Sequence, residues 1–173
     1  MLFCALFNYS GNPVTRYVLA GLVLGLLLGQ SRAAAPIRQK LEPILVLHVL
    51  DRVVQLGEFK RPPALPPVYL VSADQLPQKP CASGALSCRT LGVFFSHEIR
   101  IDHALDSETQ EHVLAHELVH FLQALRDGPL PVHPDARCRA EVAAEREAYR
   151  LQWEYRSIRQ GYTGPAPRIA DPC

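Results

Sequence analysis

The chain has 173 residues, 48% of them hydrophobic and 20% charged, with a net charge of +1. That length suits one domain with a core of its own, and that balance excludes a disordered chain. The absence of any long basic run excludes charge-driven binding of nucleic acid.

Residues 18–29, VLAGLVLGLLLG, are almost wholly apolar. The run is shorter than the roughly 20 residues of a membrane span. With Ser31, Ala33, Ala34 and Ala35 after it, it reads as the apolar stretch of an export signal cut after Ala33. Arg16 is the sole charge ahead of it, and Val14, readable from an alternative bacterial start codon, is the expected true start. The expected organisation is a leader over 1–33 and one domain over 34–173, exported to a periplasm or secreted. The alternative is an anchor through 18–29, and this segment is the only expected contact with a membrane. Removal of the leader discards Cys4 and leaves Cys81, Cys88, Cys138 and Cys173. An even number in an oxidising compartment reads as two disulfides. The expected pairs are Cys81–Cys88, closing a short loop that holds Gly84, and Cys138–Cys173. None has the CxxC spacing of a structural zinc ribbon.

The apolar spacing over 37–56, stopped by Gly57, predicts a first helix, with His48 as a satisfied or surface histidine rather than a ligand. A proline-rich stretch, 62–67, leads to a predicted strand at 68–71. Two more strands, 92–95 and 98–101, are predicted around a turn at Ser96-His97. Ser107 and Gln110 form a capping-box pattern that starts a second helix, which runs to about 126 and ends at Gly128-Pro129. A third helix, with Asp135 as its N-cap, is predicted to reach about 160, before Gly161. The class is therefore α+β, with a small antiparallel or mixed sheet of about three strands packed on two long helices.

The second helix carries His116-Glu117-Leu118-Val119-His120. At 3.6 residues per turn the two histidines lie about 40° apart on one face, where a single tetrahedral zinc takes both. Glu117 is turned by about 100°, within reach of a water at that metal rather than of the metal itself. This HExxH pattern is the mark of zinc metallopeptidases. Leu114, Leu118, Phe121, Leu122 and Leu125 form a separate apolar face. A metzincin would need glycine at 123 and histidine at 126, but Gln123 and Arg126 stand there. The third helix offers Glu141, Glu145 and Glu147 instead. Glu141, Tyr149 and Gln152 fall within about 60° of Glu145 on the less charged face, while Glu147 lies about 160° away, beside Arg150 and Glu154. Glu145 at the centre of that face and Glu141 a turn before it are the candidate third ligands, and Glu147 is assigned to a solvated face.

With these residues the chain resembles the gluzincins, peptidases with HExxH on one helix and a glutamate ligand on a following one. The run Glu145-Arg146-Glu147-Ala148 looks like their ExxA segment, although some members have Asp or Asn where this chain has Tyr149. The likeness covers roughly residues 91 to 160. It implies a zincin-like fold, one zinc ion on His116, His120 and Glu145, Glu117 as general base, and a peptide or protein substrate. It also implies that strand 98–101 is the edge that pairs with an extended peptide. Tyr149, His133 and Tyr162 are candidates to stabilise the oxyanion. His112, one turn before His116, lines the cleft, backs the ligands or is exposed, while His97 and His103 are surface residues. The alternative is an inactive zinc-binding module of the cell envelope.

Overall fold

The computed structural model describes residues 36–78, 89–166 and 173. The leader and the pair Cys81–Cys88 lie outside the described residues. Strand β1 spans Arg38–Lys40 and helix α1 spans Pro43–Leu56. Strands β2, Val68–Val71, β3, Gly92–Phe95, and β4, Glu98–Asp102, follow, and helices α2, Ser107–Asp127, and α3, Pro134–Gln160, complete the order. Among the described residues no helix is long and apolar enough to cross a membrane.

The predicted first helix is shorter than its apolar spacing indicates. Glu42, with ψ of 124°, precedes Pro43 at the start of α1. A residue before proline is pushed out of the helical region, so the chain ahead of Pro43 stays extended. Residues 38–40 use that extension to pair antiparallel with β2. At the other end Gly57 closes α1 as expected, but the left-handed residue is Glu58, with φ of 52°. Phe59 then folds back, its N–H reaching the Val54 carbonyl at 3.1 Å. A Cβ on Gly57 would stand 2.3 Å from the Phe59 ring, so only glycine admits this return.

The sheet has four strands in the order β1-β2-β4-β3, with β2 and β4 parallel. β4 is therefore interior, which corrects its expected role as an edge. The edges are β1 and β3. β3 and β4 form a hairpin through Ser96 and His97, whose φ values of 47° and 76° match the primed two-residue turn that follows the sheet's twist. Both long helices start one or two residues earlier than predicted. Asp106, not Ser107, caps α2, accepting from the Thr109 N–H at 2.8 Å. His133 precedes α3, with Pro134 in the first turn, where its fixed φ suits the helix and its missing N–H costs nothing.

The core lies between the sheet and the helices. Val68, Ile99 and Ile101 of the sheet join Val49, Leu50 and Val53 of α1, Leu114, Leu118 and Leu122 of α2, and Ala148, Leu151 and Tyr155 of α3. All are nearly or wholly removed from water. Phe121 packs edge-on against Phe94 with ring centroids 5.8 Å apart, holding β3 to α2. Leu125 departs from the predicted apolar face and is exposed at the end of α2. α2 thus has sheet on one side and α1 and α3 on others, so its middle is buried nearly all round.

Candidate metal centre

His116 and His120 stand one turn apart on α2, with their Nε2 atoms 3.1 Å from each other. Glu145 reaches them from α3, its carboxylate oxygens 3.4 Å from His116 Nε2 and 3.6 Å from His120 Nε2. One donor atom from each of the three falls within 4.8 Å of the others. Both other imidazole nitrogens are engaged: His116 Nδ1 meets Gln152 Oε1 at 3.2 Å and His120 Nδ1 meets Gln123 Oε1 at 2.9 Å. With each Nδ1–H donating to an amide oxygen, two Nε2 lone pairs and a carboxylate converge on one point. Three acceptors facing one another need a cation, and this donor set could hold a divalent metal ion.

The same closeness shifts the proton affinities of the metal-free chain. Burial opposes a charge on His120, yet the Glu145 carboxylate beside it and the charge of Glu117 raise its proton affinity above the ordinary histidine value. Burial likewise opposes a charged Glu145. Hydrogen bonds from His116 and His120, and their charge, overcome it and hold the carboxyl well below the usual carboxylate range.

Glu117 turns towards β3. Its Oε2 accepts from the Phe94 N–H at 2.7 Å. A Cβ on Gly92 would stand 3.3 Å from the Glu117 side chain and 2.3 Å from Val113 Cγ1, so this strand approaches α2 closely because residue 92 is glycine. The edge strand beside the histidines is thus β3, in place of the expected 98–101.

The structure separates the three candidate glutamates. Glu145 joins the histidines, whereas Glu141 pairs with Arg137 at 2.9 Å along its own helix and stays outside the group. Glu147 is outside it too, but not on a solvated face. It is half-buried between α2 and α3, accepting from Gln123 Nε2 and from Arg126. Tyr149 lies edge-on to the His116 ring, with centroids 4.6 Å apart. His133 is exposed at the start of α3 and Tyr162 lies under the Arg156 guanidinium, and neither joins the group. His112 is buried, its Nε2 without a hydrogen-bond partner, and burial together with Arg156 lowers its proton affinity. His48, His97 and His103 are exposed, as expected.

Gln123, Gln152 and the Phe94 amide are missing from the residues that sequence singles out for the site. Two of them carry a positional signal: Gln123 is three residues after His120, and Gln152 is two turns after Glu145 on the same face. The Phe94 amide carries none, because strand β3 meets α2 only in the folded chain. Cys138 and Cys173 form the expected disulfide, with Cα atoms 5.9 Å apart. No protein-family model, curated protein or solved structure matches the chain, so the centre is defined by this chain's own residues.

Proposed function

We propose that the chain is a zinc-dependent hydrolase that cleaves peptide bonds, with His116, His120 and Glu145 as metal ligands and Glu117 as general base. One observation carries the reading: two Nε2 atoms and a buried carboxylate converge within 4.8 Å on the helix pair that also presents Glu117. Zinc, when bound, supplies a Lewis acid that polarises the scissile carbonyl and acidifies the attacking water. Glu117 accepts that water's proton and returns it to the leaving amine. The Phe94 N–H, donating to Oε2, fixes the direction of the Glu117 carboxylate. Tyr149, whose ring lies edge-on to that of His116, is the proposed donor to the developing oxyanion. A small sheet packed on an HExxH helix, followed by a helix bearing the third ligand, is the arrangement expected of a compact zincin of the gluzincin kind. The Cys138–Cys173 bond supports export to an oxidising compartment, periplasmic or extracellular.

An inactive metal-binding module draws on one fact, that Glu117 is only 7% exposed and already engaged by a backbone amide. The two readings part on a single pair of proteins. The full chain is loaded with zinc, its metal content is measured, and it is incubated with a mixture of unstructured peptides read by mass spectrometry. Glu117→Gln is expected to keep its zinc and to cleave about 10²- to 10⁴-fold more slowly. Cleavage unchanged in that variant sinks the general base. Zinc bound without cleavage by the parent establishes the inactive module.

A further inference from the structure

Gln123 accepts the His120 Nδ1 hydrogen bond, yet an amide side chain can ordinarily turn over and offer its nitrogen instead. Here the turn is blocked. Gln123 Nε2 donates to the Ala144 carbonyl at 2.9 Å and to Glu147 Oε2 at 2.8 Å. Both partners are acceptors only. Reversal would set the Gln123 oxygen against two oxygens and its NH2 against His120, inside a site where Gln123 is buried. Glu147 is itself clamped. Arg126 meets its two oxygens at 2.8 Å each, and Asp127 holds the Arg126 Nε at 2.7 Å. The Arg126 guanidinium lies 5.0 Å over the Phe59 ring, which is buried. Because Ala144 directly precedes Glu145, the same amide also ties the histidine helix to the helix of the third donor.

We infer that Gln123, oriented by Glu147 and Arg126, is a positioning residue that keeps the His120 proton on Nδ1 and so turns the Nε2 lone pair towards the metal point. The inference gives Glu147 and Arg126 a place at the site although neither touches it. Its use in metal binding rests on the proposed function, but the direction of the His120 proton does not.

The test has two independent readouts on the full chain. Nitrogen NMR of the histidine rings, in metal-free protein at alkaline pH where the imidazoles are neutral, reports which nitrogen of His120 carries the proton. Chelator competition reports zinc affinity. The parent should carry the proton on Nδ1. Gln123→Met should lose that preference and bind zinc about 10- to 100-fold more weakly, the range for removing a partner behind a ligand. The combination Gln123→Glu with Glu147→Gln keeps an oxygen towards His120 and a donor behind it, leaves the Ala144 carbonyl without its donor, and should recover part of that affinity. Circular dichroism checks that each variant is folded, and the double exchange keeps the test decisive should Gln123→Met fail to fold. A His120 proton on Nε2 in the parent overturns the inference. So does parental affinity in folded Gln123→Met, or a folded double exchange that binds zinc more than about 100-fold more weakly than the parent. A parent with the Nδ1 proton that binds no zinc upholds the positioning and refutes the metal reading instead.

Discussion

Breaking the Cys138–Cys173 bond is expected to destabilise the domain while leaving the metal site intact. The bond joins an early turn of α3 to the last residue of the chain across a separation of 35 residues. Beyond the first cysteine the chain runs out along α3, and residues 162 and 164 lie back against that helix. The Trp153 indole N–H donates to the Gly164 carbonyl at 2.8 Å, and Arg156 lies 4.3 Å from the Tyr162 ring. The chief effect of the bond is on the unfolded chain, which loses conformational freedom when the loop is closed. For a loop of 35 residues the chain-entropy relation gives about 13 cal/mol/K, or about 4 kcal/mol at 25 °C. Residual helix in the unfolded α3 segment reduces this value. With a urea slope of about 2 kcal/mol/M, the midpoint should fall by about 2 M. The assay is equilibrium urea unfolding, followed by circular dichroism, of the oxidised chain and of Cys138→Ser with Cys173→Ser. Zinc binding should survive the change, because Ala148, Leu151 and Tyr155 hold α3 in the core without the bond. A midpoint shift below about 0.5 M, which is about 1 kcal/mol at that slope, would refute the loop-entropy reasoning.

Glu145→Ala removes one of three converging donors and should weaken zinc binding by more than the roughly 100-fold that an outer partner costs. Glu141→Ala should leave zinc affinity unchanged, and the i,i+4 ion pair it loses on the helix surface is worth about 0.5 kcal/mol. Chelator competition on both variants decides, and a larger loss in Glu141→Ala would show that the ligand assignment is wrong. The metal-free chain should also carry a pH signature. The depressed Glu145 contributes stability that is present above its ordinary value of 4.5 and lost as pH falls through its lowered one. The raised His120 contributes stability present below its ordinary value of 6.5 and lost as pH rises through its raised one. Their joint contribution is therefore fullest between 4.5 and 6.5. Urea unfolding across pH should show this window in the parent and lose it in Glu145→Gln. Identical profiles for the two proteins would contradict the pairing.

Sequence by itself determines α2 and the pair of histidines on one of its faces. Helical periodicity, the glycine-proline stop and the four-residue spacing of His116 and His120 are all local, so they survive without knowledge of the rest of the chain. The same holds for the hairpin at Ser96-His97 and for the helical face that favours Glu145 over Glu147. The extended residues 38–40 are hidden by an apolar pattern that continues into α1, although Pro43 marks the boundary. Only the tertiary structure decides what depends on partners far along the chain. β4 is interior because β2 pairs with it in parallel, which leaves β3 as the edge beside Glu117. Glu145 prevails over Glu141 because α3 crosses α2 where that residue, and not the one a turn earlier, meets both histidines. Glu147 looks solvated when α3 is viewed alone, since a single helix shows which residues share a face but not that Arg126 and Gln123 of another helix will cover that face. The histidine pair is thus written in one turn of helix, whereas the third donor and the amide behind His120 meet it only where two helices cross.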